Sequence, residues 1–306
     1  MNPPPIFAFR LSPFAFFLSH VPTRRLFLRT LAAAATAPFT ALHAEPSAEV
    51  RIGVERGAWG QAGPADIAKV AESAAGEIWK WCPHSHLEGI RIYHRTDFPQ
   101  TDFGRAPDGR ISIGLAAENA RWAQFAFQFA HEFCHALAQH SEAGLRGWHE
   151  PQHANLWFEE SLCETASLFA LRRMAETWKT RAPYPNWRGY SAALTRYAAD
   201  RLAQREHQLP AGQTFAAWFA QNENAMRANA ALRERDVIVA TQLLPLFEAA
   251  PENWEAVTFL NHGPRVKGKI FSRKLADWQA AAPAAHRAFI TRLGAVFGLR
   301  EPGAVG

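Results

Sequence analysis

Cysteine is scarce in this chain: three occur among 306 residues, Cys82, Cys134 and Cys163, too few and too scattered for a disulfide framework or a four-thiolate metal site. Long apolar runs are missing too. After the first 44 residues no stretch of about 18 apolar residues runs without a charge, so the sequence predicts no spanning helix there. A surplus of one charge sign is absent once the amino terminus is set aside. The formal charge of +5 includes Arg10, Arg24, Arg25 and Arg29, which lie in a 44-residue segment without one acidic residue. The remainder holds 29 basic against 28 acidic residues, with no basic stripe to fit nucleic acid. Tyrosine numbers four against 22 phenylalanines and 11 tryptophans, which narrows the choice of phenolic proton donors. What remains is 48% hydrophobic and 20% charged, a balance that excludes collagen-like, coiled-coil and largely disordered chains.

The amino terminus reads as an address. Thr23-Arg24-Arg25-Leu26-Phe27-Leu28-Arg29 precedes an Ala-rich, weakly apolar stretch that ends at His43-Ala44-Glu45. This resembles a twin-arginine export signal, which implies a leader over 1–44, a mature start near Glu45 and a periplasmic or secreted bacterial protein without stable membrane insertion. The earlier apolar stretch Ile6 to Leu18 carries Arg10 and Pro13 and is too short to span a bilayer.

Beyond the leader, Glu49 to Glu55 alternates like a strand, and Pro64 to Trp81 repeats apolar residues at helical period. Gly89 to His94 and Arg110 to Leu115 alternate again, with a Pro107-Asp108-Gly109 turn before the second. Ala116 to Ala143 runs 28 residues without glycine or proline and predicts one long helix. Gly144 to Asn155 predicts a loop and Leu156 to Thr177 a helix. The remainder predicts helices broken at Pro183, Pro185, Pro210, Pro251, Gly263 to Gly268 and Pro283. The expected class is α+β: a small mixed sheet with helices over 45–145, then a mainly helical subdomain over 146–306.

Inside the long helix lies His131-Glu132-Phe133-Cys134-His135. Residues four apart share a helix face, so both imidazoles can reach one ion while Glu132 sits within reach of water on it. The spacing recurs at His149-Glu150-Pro151-Gln152-His153, but Pro151 and the nearby Gly144 and Gly147 make that copy a loop, whose histidines could at most line the rim. A catalytic zinc takes three protein ligands and keeps one position open. A histidine six residues after the pair would complete one known pattern, but Ser141 occupies that position.

A carboxylate can come instead from Trp157-Phe158-Glu159-Glu160-Ser161-Leu162-Cys163-Glu164. Together with the histidine pair, this stretch resembles the Trp-x-x-Glu segment of the gluzincins, the zinc metallopeptidase clan that includes thermolysin. The resemblance spans 131–164 in motif and 110–165 in architecture. It implies a zincin-like fold, Glu160 as third ligand and Glu164 as the acidic residue supporting a ligand histidine. Helical spacing is consistent: Glu160 and Glu164 share a face, and Glu159 points about 100° away. The interval from His135 to Glu160 is 25 residues, Ser161 replaces a common glycine, and the Gly-x-Met-Glu-Asn pattern of the clan's aminopeptidases does not occur. Cys134 and Cys163 read as small buried side chains rather than ligands.

The implied chemistry is hydrolysis of a peptide or protein substrate. One zinc per chain on His131, His135 and Glu160 would acidify a water and polarise the scissile carbonyl, with Glu132 as general base. Arg110 to Leu115 is expected to be the edge strand on which substrate lies. The oxyanion donor is expected to be Tyr190, with Tyr197, His207 and His262 also available. The alternative is a catalytically inactive zincin-fold binding module, against which the retained Glu132 speaks. A rival metal set, Cys82, His84 and His86, falls on a turn without a fourth partner.

Overall fold

The computed structural model describes residues 50–138, 154–264 and 266–299. The leader, Ser141, His149, His153 and the boundary at 145/146 lie outside the described residues. The class is mixed α+β: a four-stranded sheet beside a larger helical body. Among the described residues no helix is long and apolar enough to cross a membrane.

Strand β1 (Ile52–Val54) leads into helix α1 (Pro64–Trp79), followed by β2 (Ile90–His94), β3 (Gln100–Arg105) and β4 (Ile111–Leu115). Pro64 starts α1 at the position where a missing N–H costs nothing, and Ile67, Val70, Ala71, Ala74, Ala75 and Ile78 form its buried stripe. The sheet order is β1-β2-β4-β3, with β1, β2 and β4 parallel and β3 antiparallel to β4. The registers Ile52 with Ile90 and Ile90 with Ile111 stack branched side chains across the three parallel strands. The segment from Arg110 to Leu115 is therefore not the edge. β4 is flanked by β2 and β3 and buried along its whole length, as an interior strand must be; the edge strands are β1 and β3, with β3 the one next to β4. β3 reads Gln-Thr-Asp-Phe-Gly-Arg, a polar, Gly-containing run that carries no strand pattern.

Helix α2 spans Trp122–Ala138, shorter at its start than the run from Ala116 predicts. The backbone N–H groups of Ala116 and Ala117 both donate to Gln128 Oε1 at 3.0 Å, and Asn119 sits at φ 59°, so the chain turns there before the helix begins. Helix α3 (Leu156–Arg181) is buried on nearly every side from Trp157 to Leu171, the mark of a central helix. It runs antiparallel to α2, with His131 opposite Glu160 and the Phe127 carbonyl accepting from Ser167 Oγ at 2.8 Å. Against α3 pack α4 (Ser191–Ala203), α5 (Phe215–Ala228), α6 (Arg233–Ala249), the single turn α7 (Trp254–Val257) through Trp254 and α8 (Phe271–Ala281) through Phe271, while α9 (Ala284–Val296) lies on α8 and α6. One apolar cluster runs from Trp59 to Phe297 without a break. Its densest aromatic knot, Trp157, Phe158, Phe219, Phe271 and Phe297 with ring centroids 4.8–6.0 Å apart, holds the first turn of α3 in place.

Candidate metal centre

The helical spacing in α2 sets His131 and His135 one above the other, ring centroids 5.2 Å apart. Both are buried, and both face the first turns of α3. His131 Nε2 lies 3.2 Å from Glu160 Oε2, and His135 Nε2 lies 3.5 Å from Glu160 Oε1. Two imidazole nitrogens thus face one carboxylate. Burial alone would raise the Glu160 carboxyl, but His135 and His131 outweigh it and hold it far below the usual carboxylate range. Burial likewise works against a charged His135, yet Glu160 and Glu159 together push its imidazole well above the ordinary histidine value. Two imidazoles and one carboxylate converging in this way are donor groups of the kind that hold a divalent cation.

Glu159 departs from the helical-wheel expectation. It does not turn away: its Oε1 meets His135 Nδ1 at 2.8 Å, while its Oε2 accepts from Asn261 Nδ2 at 2.8 Å. The side chain is long enough to wrap the far side of His135, where Asn261 meets it. Holding Nδ1 in this way leaves Nε2 as the face presented to Glu160. Glu164, expected to support a histidine, is instead the acceptor for two guanidiniums, Arg201 Nη2 at 2.9 Å and Arg233 Nη2 at 3.3 Å, both through Oε1. Burial would raise its carboxyl, but the two arginines pull it down to about 2, with His131 adding to the effect from further off. Asp236 lies 3.4 Å from Ser161 Oγ; burial first, then Glu160 and Glu164, drive its carboxyl well above the usual range.

Cys163 is drawn closer than a filler residue need be. His131, His135 and Cys163 bring ligand atoms within 4.8 Å of one another and could hold a metal ion. The thiol is fully buried beside Cys134, and burial, the Cys134 contact and the nearby carboxylates all push its pKa up, so it is a neutral group here. Glu160, held in its charged form by the two histidines and 15% exposed at its side chain, offers the same imidazoles both charge and access.

Glu132 is buried, and Thr101 of β3 fixes it: the hydroxyl Oγ1 lies 2.9 Å from Glu132 Oε2 and 2.8 Å from its carbonyl. The outer strand and the helix therefore meet at the residue expected to act as base. Among the described residues, β3 pairs with β4 alone.

Tyr190 is not brought to the site. It ends the 3-10 turn Pro185–Tyr190, and its hydroxyl accepts from the Ala123 N–H at 3.3 Å. Ala123 precedes His131 by eight residues, about 12 Å of helix rise. Tyr197 comes nearer, its ring 5.6 Å from Phe127, one turn before His131. His207 is buried with Nδ1 at 2.6 Å from the Arg201 carbonyl, and His262 stacks edge-on to Phe259. The rival set disperses: His84 pairs with Glu255, His86 with Glu88, and Cys82 Sγ points to the Ile78 carbonyl. Glu159 could have been found from its place beside Glu160, but nothing in the local pattern marks Thr101, Arg201, Arg233, Asp236 or Asn261.

Comparison of the chain with protein-family models, with curated proteins and with solved structures gives no match.

Proposed function

We propose that this chain is an exported, zinc-dependent metallopeptidase with a zincin-like site, one zinc per chain held by His131, His135 and Glu160. The observation that carries the reading is that the Nε2 atoms of both histidines face the one carboxylate of Glu160. Zinc bonds of about 2.0–2.1 Å in a tetrahedron set neighbouring donor atoms about 3.3 Å apart. The two nitrogen–oxygen separations are 3.2 Å from His131 to Oε2 of Glu160 and 3.5 Å from His135 to its Oε1. Glu160 is preferred over Cys163 because it is already ionised and opens toward solvent, whereas the thiol would have to lose a proton in the core. When bound there, zinc would supply Lewis acidity toward a carbonyl oxygen and toward water.

The chain's own residues then divide the work. Glu132, anchored by Thr101, takes the proton from water and returns it to the leaving amine. The outer edge of β3 offers main-chain groups to an extended peptide, and Thr101 brings that edge beside Glu132. The substrate class is peptide or protein. The test is elemental analysis of the purified chain with a quenched-peptide library on the same samples. Expected are one zinc per chain, loss of zinc in Glu160→Gln, and about 10²–10⁴-fold slower cleavage with zinc retained in Glu132→Gln. A chain that takes no zinc refutes the reading, and zinc without cleavage transfers it to the non-catalytic binding module.

A further inference from the structure

Helix α8 carries Lys274, an ammonium buried to 5% exposure. Such a group is costly to bury unless it is given acceptors. Its Nζ donates to the Leu260 carbonyl and to Asn261 Oδ1, each at 2.8 Å. Burial lowers its pKa to about 8, with Glu159 and Asp277 opposing that shift and Lys269 adding to it. A lysine can only donate and a carboxylate can only accept. The direction of every bond between them is therefore determined. Asn261 must turn its carbonyl oxygen to Lys274 and its amide nitrogen to Glu159, and the donation from Asn261 Nδ2 to Glu159 Oε2 is 2.8 Å. Glu159 Oε1 then has only an acceptor's role toward His135 Nδ1, 2.8 Å away.

We propose that Lys274 and Asn261 are positioning residues of the metal centre: a polarised chain Lys274, Asn261, Glu159, His135 that keeps the proton on His135 Nδ1 and the Nε2 lone pair aimed at the ion. The chain joins α8, the segment after α7, α3 and α2, so the packing of the carboxyl-terminal helices reaches a ligand more than a hundred residues away in sequence. This rests on the metal site proposed above.

The experiment measures zinc affinity of the full chain by chelator competition, with thermal unfolding of the metal-free protein as a check of fold. Asn261→Asp removes the donor to Glu159 and Lys274→Met removes the end of the chain; each is expected to weaken zinc about 10–100-fold, as loss of an outer partner does. Glu159→Gln is expected to do the same. The double variant Glu159→Gln with Asn261→Asp reverses the middle link. The amide introduced at position 159 would donate to the carboxylate introduced at position 261 and still accept from His135, so affinity is expected to return to within a few-fold of the native value. A merely structural role for these residues predicts no such recovery. Folded single variants with native affinity, or a double variant no better than the singles, would overturn the proposal while leaving the metal site standing. A native chain that binds no zinc would overturn both.

Discussion

Replacing Glu164 by glutamine tests the electrostatics beside the site through stability rather than turnover. Glu164 is 1% exposed and its carboxyl stands at about 2 against an ordinary 4.5, because Arg201 and Arg233 overcome the cost of burial. At about 1.4 kcal/mol per unit, that difference contributes about 3 kcal/mol to folding at neutral pH. Because the folded-state value is the lower one, the contribution is present above pH 4.5 and fades as pH falls toward 2. Roughly 2 kcal/mol of it is gone at about pH 3. The variant lacks this titration and also leaves two partly buried guanidiniums facing a neutral amide. Denaturant unfolding of both proteins, metal removed by chelator, should therefore show a gap of about 3 kcal/mol at pH 7 that narrows by about 2 kcal/mol at pH 3. Asp236 titrates in the same cluster, and running the pair in an Asp236→Asn background keeps its response out of the difference. A gap that stays constant between pH 7 and pH 3 would refute the assignment of the low pKa to Glu164.

With Glu160 as the proposed third ligand, Cys163→Ala is expected to bind zinc as the native chain does; stoichiometric loss of metal in that variant would move the ligand role to the thiol. Tyr190→Phe should leave turnover unchanged, because its hydroxyl is occupied at the start of α2, and a fall of tenfold or more in peptide cleavage would contradict that placement. Trp254→Ala removes a fully buried ring stacked 4.1 Å from Phe247, and calorimetry should register a loss of about 3–5 kcal/mol. Cys82→Ser should not change metal content, since His84 and His86 are committed elsewhere.

The parts legible in the sequence are those that local periodicity controls. Alternation located β1, β2 and β4, and the 3.6-residue repeat located α1, because each signal is contained within one element. The start of α2 was not legible, since residues 116–121 contain no breaker and are held out of the helix by the Gln128 side chain and the Asn119 turn. β3 carries no such signal, because it takes its strand conformation from the neighbour it pairs with rather than from its own composition.

At the site the same division holds. The sequence by itself determined that His131 and His135 share a face with Glu132 beside them, and that Glu160 stands one turn from Glu164, because helix geometry depends on spacing alone. Which carboxylate grips His135 was decided by how α3 lies across α2 and by Asn261, 102 residues away from Glu159. The same packing gave Glu164 to two arginines and kept Tyr190 at the far end of α2. Hydrogen bonds between elements depend on crossing angles and side-chain reach, which no local pattern encodes, so only the tertiary structure could make those choices.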